Sequence, residues 1–360
     1  MIVTLRLEHF RNLTKADVEL GSGLNLIHGL NGSGKTSLLE AIYLLGNGKS
    51  FRTSRLETLV TQGQRSSNVF GTIKEPHALS GVGFQRMNGA TTFKLRGQKI
   101  GKRSELAQVF PTVAITPNSH EFLEVGPQIR RKYFDWGVFH VEPSFGEAWT
   151  SYQRALKNKN ALLSSGRFSA LEMDSWDEVL FENGFVLESL RVNTLQRLKE
   201  HLDYFAGLLL GEFDLEFSYS KGYPHERDFR EVLRASRNRD LAVGFAQYGP
   251  HKADVIVKAN GIKAKDRISR GQQKLIVYIF ILAQIKLIQE TTNKSVTLLL
   301  DDLAAELDKS RLRELLGLLD QDFTQIFITA TDPEALGIEH YSSASMFHVE
   351  HGVIHSTNWN

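Results

Sequence analysis

The chain has 360 residues, of which 41% are hydrophobic and 23% charged, with a formal net charge of +2. This length predicts one large domain with an inserted or appended lobe, and this composition excludes disorder over most of the chain. The nearly balanced charge excludes the strongly basic surplus that by itself indicates nucleic-acid binding. The absence of cysteine excludes disulfides and thiolate metal sites, and it fits a cytoplasmic protein.

Neither a secretory signal nor a membrane span is expected. Residues 1–6 lack the charged stretch that precedes the apolar core of a signal peptide. The most apolar run, 275–288, is interrupted by Gln284 and Lys286 and is shorter than the roughly 18 to 20 apolar residues of a span. It predicts a buried helix, so we expect a protein without a membrane partner.

A glycine-rich loop stands between a predicted strand and a predicted helix. The strand is the mainly apolar run 24–28, and Leu38, Ile42 and Leu45 recur at helical spacing after the loop. Gly46 is expected to end this helix. The loop fits the phosphate-binding pattern G-x-x-x-x-G-K-[ST], which is informative in this strand–helix context. The predicted nucleotide-binding residues, called the phosphate loop here, are Gly29, Leu30, Asn31, Gly32, Ser33, Gly34, Lys35 and Thr36, followed by Ser37.

These residue types predict a site for ATP. The glycines allow backbone N–H groups to point at phosphate oxygens, and the positive end of the following helix favours the same anion. Lys35 is expected to reach the β- and γ-phosphates and to be catalytic, and the Thr36 hydroxyl is expected to ligate Mg²⁺. A glycine-rich turn without a ligand is the alternative interpretation.

Two aspartates follow a second predicted strand. Residues 296–300 form a continuous apolar run, which is typical of a strand in a parallel sheet. Asp301 and Asp302 stand at its carboxyl end, where open α/β sheets bind ligands. We expect Asp301 to be a direct or indirect Mg²⁺ partner and Asp302 to be the general base that activates water. An exposed acidic turn is the alternative.

The elements after the aspartates continue this pattern. Asp308 or Ser310 is expected to cap a helix, and 325–330 is expected to form the next strand. Alternation of strands and helices around the motifs predicts a largely parallel sheet.

The string 269–274, Ser-Arg-Gly-Gln-Gln-Lys, precedes the long apolar run and resembles the signature motif of ABC-type ATPases. We call it the signature string. Ser269, Gly271 and Gln272 are its expected nucleotide-contacting residues, because a serine hydroxyl, a glycine backbone and a helix N-terminus form an anion site. Alone, the string is more typical of a helix cap, and its position before the aspartate strand favours the signature. In that superfamily the signature of one subunit meets the γ-phosphate bound by the other, so the resemblance implies hydrolysis by a dimer.

The chain is similar, essentially end to end, to the RecF family of bacterial recombination mediator ATPases, which is related to SMC and ABC-type heads. In that family the loop at Glu306-Leu307-Asp308 crosses the dimer interface, so the resemblance makes Asp308 a further predicted nucleotide-site residue. Besides the three ATPase motifs, the resemblance rests on Phe10-Arg11-Asn12, Lys49-Ser50-Phe51-Arg52, Asp135-Trp136-Gly137-Val138-Phe139-His140, Tyr248-Gly249-Pro250-His251-Lys252-Ala253-Asp254 and Glu306-Leu307-Asp308.

The resemblance implies an α/β fold, that of a P-loop NTPase of ABC/SMC-head type with a mixed-sheet ATPase lobe and an inserted, mostly helical lobe. We expect the ATPase lobe at 1–125 and 245–360, and the inserted lobe at 126–244. The insert is too short and irregular for the long heptad coiled coil of SMC proteins, which favours a compact lobe. Residues 69–95 predict strands and hairpins, and 128–210 predict mostly helix.

The resemblance also implies ATP-dependent DNA binding in recombinational repair and replication restart, with weak DNA-stimulated ATP hydrolysis. An ATP-induced homodimer would clamp double-stranded DNA near single-strand gap junctions, help recruit RecR with RecO for recombinase loading, and release on slow hydrolysis. Asp302 is one methylene shorter than the glutamate usual in ABC and SMC proteins, which fits slow hydrolysis. The run 328–332 lacks the switch histidine of ABC transporters, and Asn118 is a weak substitute for their magnesium-contacting glutamine.

Three basic clusters are candidates for salt-sensitive contacts with DNA phosphates, and a solvated surface is the alternative for each. Arg230, Arg234 and Arg237 share one face if their segment is helical. The clusters are Lys94, Arg96, Lys99, Lys102 and Arg103; Arg130, Arg131 and Lys132; and Arg230, Arg234, Arg237 and Arg239.

Two other functions remain open at this stage. One is the nucleotide-binding subunit of an ABC-type membrane transporter, against which the atypical signature, the missing histidine and the helical insert count. The other is a P-loop kinase or hydrolase of a small substrate, in which the signature string has no role.

Overall fold

The computed structural model describes residues 1–303, 307–322, 325–337 and 344–357. The chain divides into two compact units: unit 1 is Met1–Ser119 with Asn293–Asn360, and unit 2 is His120–Thr292. The phosphate loop and the two aspartates therefore belong to unit 1, and the signature string belongs to unit 2.

The elements follow in chain order. Unit 1 begins with β1 (Ile2–Phe10), β2 (Leu13–Glu19), β3 (Leu24–His28), α1 (Lys35–Asn47), β4 (Ser66–Lys74), β5 (Leu79–Met87), β6 (Ala90–Leu95), β7 (Gln98–Lys99), α2 (Ser104–Val109) and β8 (Thr112–Ile115). Unit 2 contains α3 (Glu121–Glu124), α4 (Pro127–Val141), α5 (Phe145–Ser165), α6 (Ala170–Leu210), β9 (Leu215–Ser220), α7 (Phe229–Ala235), α8 (Arg237–Val243), β10 (Asp254–Ala259), β11 (Ile262–Lys263), α9 (Ala264–Arg267) and α10 (Arg270–Thr292). Unit 1 resumes with β12 (Thr297–Leu300), α11 (Lys309–Asp322), β13 (Gln325–Ala330), β14 (Ser345–Glu350) and β15 (Val353–Thr357).

Unit 1 is built on two six-stranded sheets. One is antiparallel, in the order β2-β1-β4-β5-β6-β7, and it confirms the predicted hairpins. The other has the order β15-β14-β3-β13-β12-β8, in which all neighbours except β14 and β15 are parallel. The carboxyl ends of β3 and β12 therefore lie at one edge of this sheet, separated by β13.

Helix α1 contacts strands of both sheets and carries much of the core of unit 1. Its Leu38, Ile42 and Leu45 are completely buried, as the helical spacing predicts. They belong to one hydrophobic cluster with Leu5 of β1 and Phe327 of β13. Each such side chain contributes about 1.5–3 kcal/mol on burial, so α1 holds the phosphate loop on a rigid base.

The expected end of α1 at Gly46 is wrong. The helix continues to Asn47, and Gly48 takes the left-handed conformation with φ 63°. Gly46 lies inside the helix, and a Cβ there would be 2.4 Å from Thr112 Oγ1 and 2.8 Å from Phe110 O. The close approach of α1 to the chain around β8 therefore requires this glycine.

The predicted helical stretch 128–210 is confirmed by α4, α5 and α6. Helix α6 begins with a capping box in which the side chains of Ser169 and Glu172 each bond the other's backbone N–H. Helices α5 and α6 have 21 and 41 residues and pack against each other. Unit 2, whose backbone is described throughout, contains no coiled coil of the length that SMC proteins carry.

Helix α10 is the buried helix that the apolar run predicts. It is long and apolar enough to cross a membrane, but between Leu275 and Ile288 every side chain except Lys286 is buried in the protein. Its Gln284 donates to Phe280 O (3.2 Å). Burial in the protein therefore explains why helix α10 is so apolar.

The two units differ from the expected lobes. The first boundary falls at Ser119 rather than 125, and unit 2 continues to Thr292 instead of ending at 244. Strand β10 pairs with β9, and α10 packs against α4 and α6. The segment 245–292 therefore groups with the helical insert, because its strand and its long helix complete the core of that unit.

Candidate nucleotide site

The phosphate loop has a backbone that only glycine adopts without strain. Gly29, Gly32 and Gly34 have φ values of 146°, 79° and 126°. A Cβ on Gly29 would lie 2.2 Å from Val349 O, and one on Gly34 would lie 2.6 Å from Leu13 Cδ2. Gly34 is also the N-cap of α1 and provides no side-chain cap. The first N–H groups of α1 are thus left for an anion.

The Lys35 ammonium is held over the phosphate loop. Its Nζ donates to Gly29 O (2.7 Å) and to Leu30 O (3.0 Å), and the side chain is buried. Burial lowers the pKa of Lys35, and the carboxylates of Asp302 and Asp301 oppose that shift. A positive donor therefore stands where phosphate oxygens would meet the loop.

The phosphate loop is braced by Asn12, which sequence reasoning assigned only to a family string. Asn12 Nδ2 donates to Gly32 O (2.9 Å), and Ser37 Oγ donates to Asn12 Oδ1 (2.8 Å). Leu30 and Asn31 are exposed at the tip, and Ser33 N donates to Leu30 O (3.2 Å).

A buried carboxylate explains two further family strings. Glu40 of α1 is fully buried, and Arg11 binds both of its oxygens (2.7 and 2.9 Å). Arg52 lies 3.5 Å from the same carboxylate, and the Ser50 hydroxyl donates to it. Loss of one partner from such a buried pair costs about 3–5 kcal/mol. This cluster ties the ends of β1 and α1 together beside the phosphate loop.

The two distant ATPase motifs of unit 1 meet at Asp301. Thr36 Oγ1 donates to Asp301 Oδ1 (2.9 Å), and Thr329 Oγ1 donates to the same oxygen (2.8 Å). Burial raises the pKa of the Asp301 carboxyl, and the two hydroxyls oppose that shift. A hydroxyl beside a buried carboxylate is a set of hard oxygen donors that fits Mg²⁺, which would favour the ionised carboxylate.

Asp302 has a constrained backbone. Its φ is 56°, in the left-handed region, and its N–H donates to Thr329 Oγ1 (2.7 Å). Thr329 therefore holds both aspartates, a role that the sequence analysis missed. A polar residue within the otherwise apolar end of β13 was the available signal.

A cavity of about 650 Å³ adjoins the phosphate loop. This volume is within the range of small-molecule sites. Within the described residues, no cluster of three or more His, Asp or Glu side chains could hold a metal. The lining residues are Arg11, Asn12, Gly32, Gly34, Lys35, Thr36, Ser37, Arg52, Thr58, Val60, Thr61 and Gln62.

The signature string forms the start of α10 in unit 2. Ser269 N donates to Gln272 Oε1 (2.9 Å), and Gln272 N donates to Ser269 Oγ (3.4 Å). This reciprocal pair is a capping box with glutamine at its third helical position. A Cβ on Gly271 would meet no atom within 4 Å, so the surface of the string is open to another molecule.

The remaining predicted site residues are placed as follows. Asp308 caps α11, since its Oδ1 accepts from Ser310 N and Arg311 N (both 3.0 Å). Glu306 of the same string lies outside the described residues. Asn118 is exposed in the turn after β8, and its assignment stays a prediction.

The basic cluster 130–132 is mostly engaged within unit 2. Arg130 forms two bonds with Asp254 (2.7 and 2.9 Å), and Arg131 donates to Ala253 O (2.6 Å). These contacts join α4 to the start of β10. The two arginines therefore serve the fold of unit 2.

The cluster 230–239 is divided between α7 and α8, so it does not form the expected single helix face. Two of its arginines bind carboxylates of α6. Arg237 donates to Asp174 (2.6 Å) and Asp177 (2.7 Å), and Arg230 pairs with Glu178. These cations are neutralised by α6.

The remaining cluster keeps exposed lysines. Lys94 of β6 is directly opposite Lys99 of β7, and both are exposed, as is Lys102. Arg96 instead pairs with Glu75 (2.8 Å). Like charges facing each other across strands are destabilising, and a bound phosphate would relieve this repulsion.

The fold and the meeting of Thr36 with Asp301 define a class, the SMC-type ATPase head. The sequence profile of the RecF/RecN/SMC N-terminal domain matches residues 1–355. The solved Smc head bound to the C-winged helix domain of ScpA has a TM-score of 0.61, covers 100% of this chain and 97% of its own, and is 16% identical. It supports the fold alone.

Within this class, the chain belongs to the RecF family. It is 37% identical over 353 residues to the DNA replication and repair protein RecF of Shewanella oneidensis, covering 98% of each protein. A solved structure of the recombination mediator protein RecF-ATP in the RecFOR pathway has a TM-score of 0.87 and 29% identity, over 99% of this chain and 97% of that one. The predicted family is confirmed, and the transporter alternative is not favoured.

Proposed function

We propose that this chain is an ATP-driven switch of DNA replication and repair. The observation that carries the proposal is the hydrogen bond of Thr36 to Asp301, which joins the phosphate loop to the aspartate strand. Relatives named DNA replication and repair protein RecF support the process, and the RecF-ATP structure supports the nucleotide.

ATP binding rests on unit 1. The loop N–H groups and the start of α1 receive the phosphates, and Lys35 leaves its carbonyl partners to pair with the β- and γ-phosphates. Thr36 and Asp301 would hold Mg²⁺, which neutralises phosphate charge when bound. Asp302 takes the proton of the attacking water.

The proposed dimer places the signature string of a second copy against the bound γ-phosphate. Ser269, Gly271, Gln272 and Asp308 are its proposed contacts. Their support is the resemblance to the superfamily and the open surface at Gly271. Hydrolysis would then be weak and slow, would be stimulated by DNA, and would open the dimer.

Double-stranded DNA near single-strand gaps is the proposed ligand of the ATP-bound dimer, in the cytoplasm and together with RecR and RecO. Of the three basic clusters, we propose Lys94, Lys99 and Lys102 as contacts, because all three are exposed, form no ion pair within the described ranges, and include two lysines that face each other across β6 and β7. Each phosphate contact that is removed should reduce the slope of log K for DNA binding against log salt concentration by about 1.

Mass measurement in solution tests the proposal. Wild type and Asp302→Asn are compared with and without ATP-Mg²⁺ and a short duplex. We expect an ATP-dependent dimer that persists in Asp302→Asn and binds the duplex more tightly. A monomer under all conditions, with unchanged DNA affinity, contradicts the proposal and favours a single-subunit hydrolase.

A further inference from the structure

Among the described residues, no strand pairs with one edge of strand β9, which we call its free edge. The sheet of unit 2 has the order β11-β10-β9, and β9 pairs with β10 alone. Across residues 120–292, all of whose backbone is described, no strand covers the opposite edge. Asn260 N donates to Asp214 O (2.8 Å), so the backbone groups of Asp214 and of every second residue after it point toward β10. Leu215, Phe217 and Tyr219 therefore direct their N–H and C=O groups toward the free edge.

A groove accompanies this edge. A cavity of about 840 Å³ is lined by β9, the chain next to it and one side of α6. On α6, Val192, Leu195, Leu202 and Ala206 recur at helical spacing and form an apolar floor. Val192 and Leu195 are only half-buried. The floor thus offers apolar surface to a further strand laid beside β9.

Gly207 widens the groove. It lies within α6 and lines the cavity, and a Cβ there would meet no atom within 4 Å. Glycine inside a helix is less stable than alanine, and no close packing within unit 2 demands it here. The open space is therefore available to a molecule that approaches α6 closely.

The rim of the groove is acidic. Glu188 is neutralised by Lys221 (3.3 Å). The other charged side chains that line the cavity are Asp203, Asp214 and Glu216 against Lys199, with His225 near its end. This surplus repels nucleic-acid phosphates. It also disfavours a second copy of β9, whose own Asp214 and Glu216 would come close to the first.

We propose that the free edge of β9 binds an extended segment of a partner protein in which apolar and basic residues alternate. The segment adds a fourth strand to the sheet, with main-chain hydrogen bonds to Leu215, Phe217 and Tyr219. Alternate side chains point to the apolar floor, and the others lie beside the carboxylates of the rim. This surface involves none of the proposed ATP or DNA contacts.

Fluorescence anisotropy with the full chain tests this proposal. The probe is a labelled octapeptide of alternating valine and lysine, and we expect saturable binding. Gly207→Trp, which fills the groove, should weaken that binding at least about tenfold, whereas Gly207→Ala should leave it unchanged. A peptide of the same composition in Lys-Lys-Val-Val order and one with glutamate in place of lysine should bind far more weakly.

Amide hydrogen exchange of the unmodified protein provides a second readout. We expect slower exchange at Leu215, Phe217 and Tyr219 when the alternating peptide is added. Binding that leaves these amides unprotected, or that survives Gly207→Trp, overturns the proposal. The proposal is also overturned if Gly207→Trp abolishes binding of a labelled DNA duplex, or if it abolishes self-association of the protein. Either result would assign the groove to another occupant. No nucleotide is added, so failure here leaves the ATP proposal untouched.

Discussion

The phosphate loop and the signature string both begin a helix, but they satisfy the start of that helix in opposite ways. Gly34 caps α1 without a side chain, whereas Ser269 and Gln272 cap α10 for each other. Unit 1 therefore presents unused N–H donors together with Lys35, and unit 2 presents a closed turn with an open glycine. The start of α1 is thus open to an anion, whereas the first turn of α10 is already capped, which fits the proposed role of the signature string as a surface for a second copy.

The largest expected effect comes from replacing Asp302, the proposed general base. Asp302→Asn should lower the rate of ATP hydrolysis about 10²–10⁴-fold, because a neutral amide cannot take the proton of water. Phosphate release measures it. ATP affinity is the control and should stay close to wild type. An unchanged hydrolysis rate would assign the base to another residue.

Removing the charge over the phosphate loop should nearly abolish ATP binding. Lys35→Met loses charge-assisted hydrogen bonds to both the β- and γ-phosphates of about 1.5–3 kcal/mol each, which together amount to a loss in affinity of about 10²–10⁴-fold. Titration calorimetry with ATP-Mg²⁺ measures it. Lys94→Met, which removes an exposed lysine, is the matched control, and equal affinities for the two variants would refute the role of Lys35.

A change in the signature string should separate binding from dimerisation. Ser269→Arg should leave ATP affinity unchanged and prevent the ATP-dependent dimer, because a bulky cation blocks the proposed contact with the second copy. Ser269→Ala is the control, because it removes the helix cap without adding bulk or charge. Loss of the cap alone costs about 1 kcal/mol of stability. Normal dimerisation of Ser269→Arg, seen by solution mass, would show that the string is only a cap.

Thr329→Val tests the brace behind the aspartates. Valine keeps the shape but removes the hydroxyl that donates to Asp301 and accepts from Asp302 N. We expect a loss of about 1–3 kcal/mol in the free energy of unfolding and slower hydrolysis. Urea denaturation measures the first. Retention of full stability would mean that water replaces the hydroxyl.

The smallest effect concerns pH. Burial raises the pKa of Asp301, so the folded state binds this proton more tightly than the unfolded chain does. Its ionisation therefore reduces stability as the pH rises above the ordinary carboxyl pKa toward the raised value. Without Mg²⁺, the melting temperature of Asp301→Asn relative to wild type should increase between about pH 4 and about pH 7. A constant difference would contradict this linkage.

Local patterns were sufficient for much of the fold and for part of the site. The strand before the phosphate loop, the helix after it and the aspartate strand are short-range periodicities, and all three are present. The helix end was misplaced at Gly46 because a glycine in a sequence does not show whether it serves a turn or a close contact. Only packing against the chain near β8 distinguishes Gly46 from Gly48.

Long-range contacts decided the rest. The sequence by itself determined the family, and it predicted the phosphate loop and the aspartate pair, because the chemistry of phosphate and Mg²⁺ restricts residue types at fixed local spacing. Asn12, Glu40 and Thr329 act through hydrogen bonds to residues distant in the chain, and no local spacing encodes such partners. The pairing of arginines with carboxylates and the free edge of β9 likewise depend on which elements the tertiary fold brings side by side.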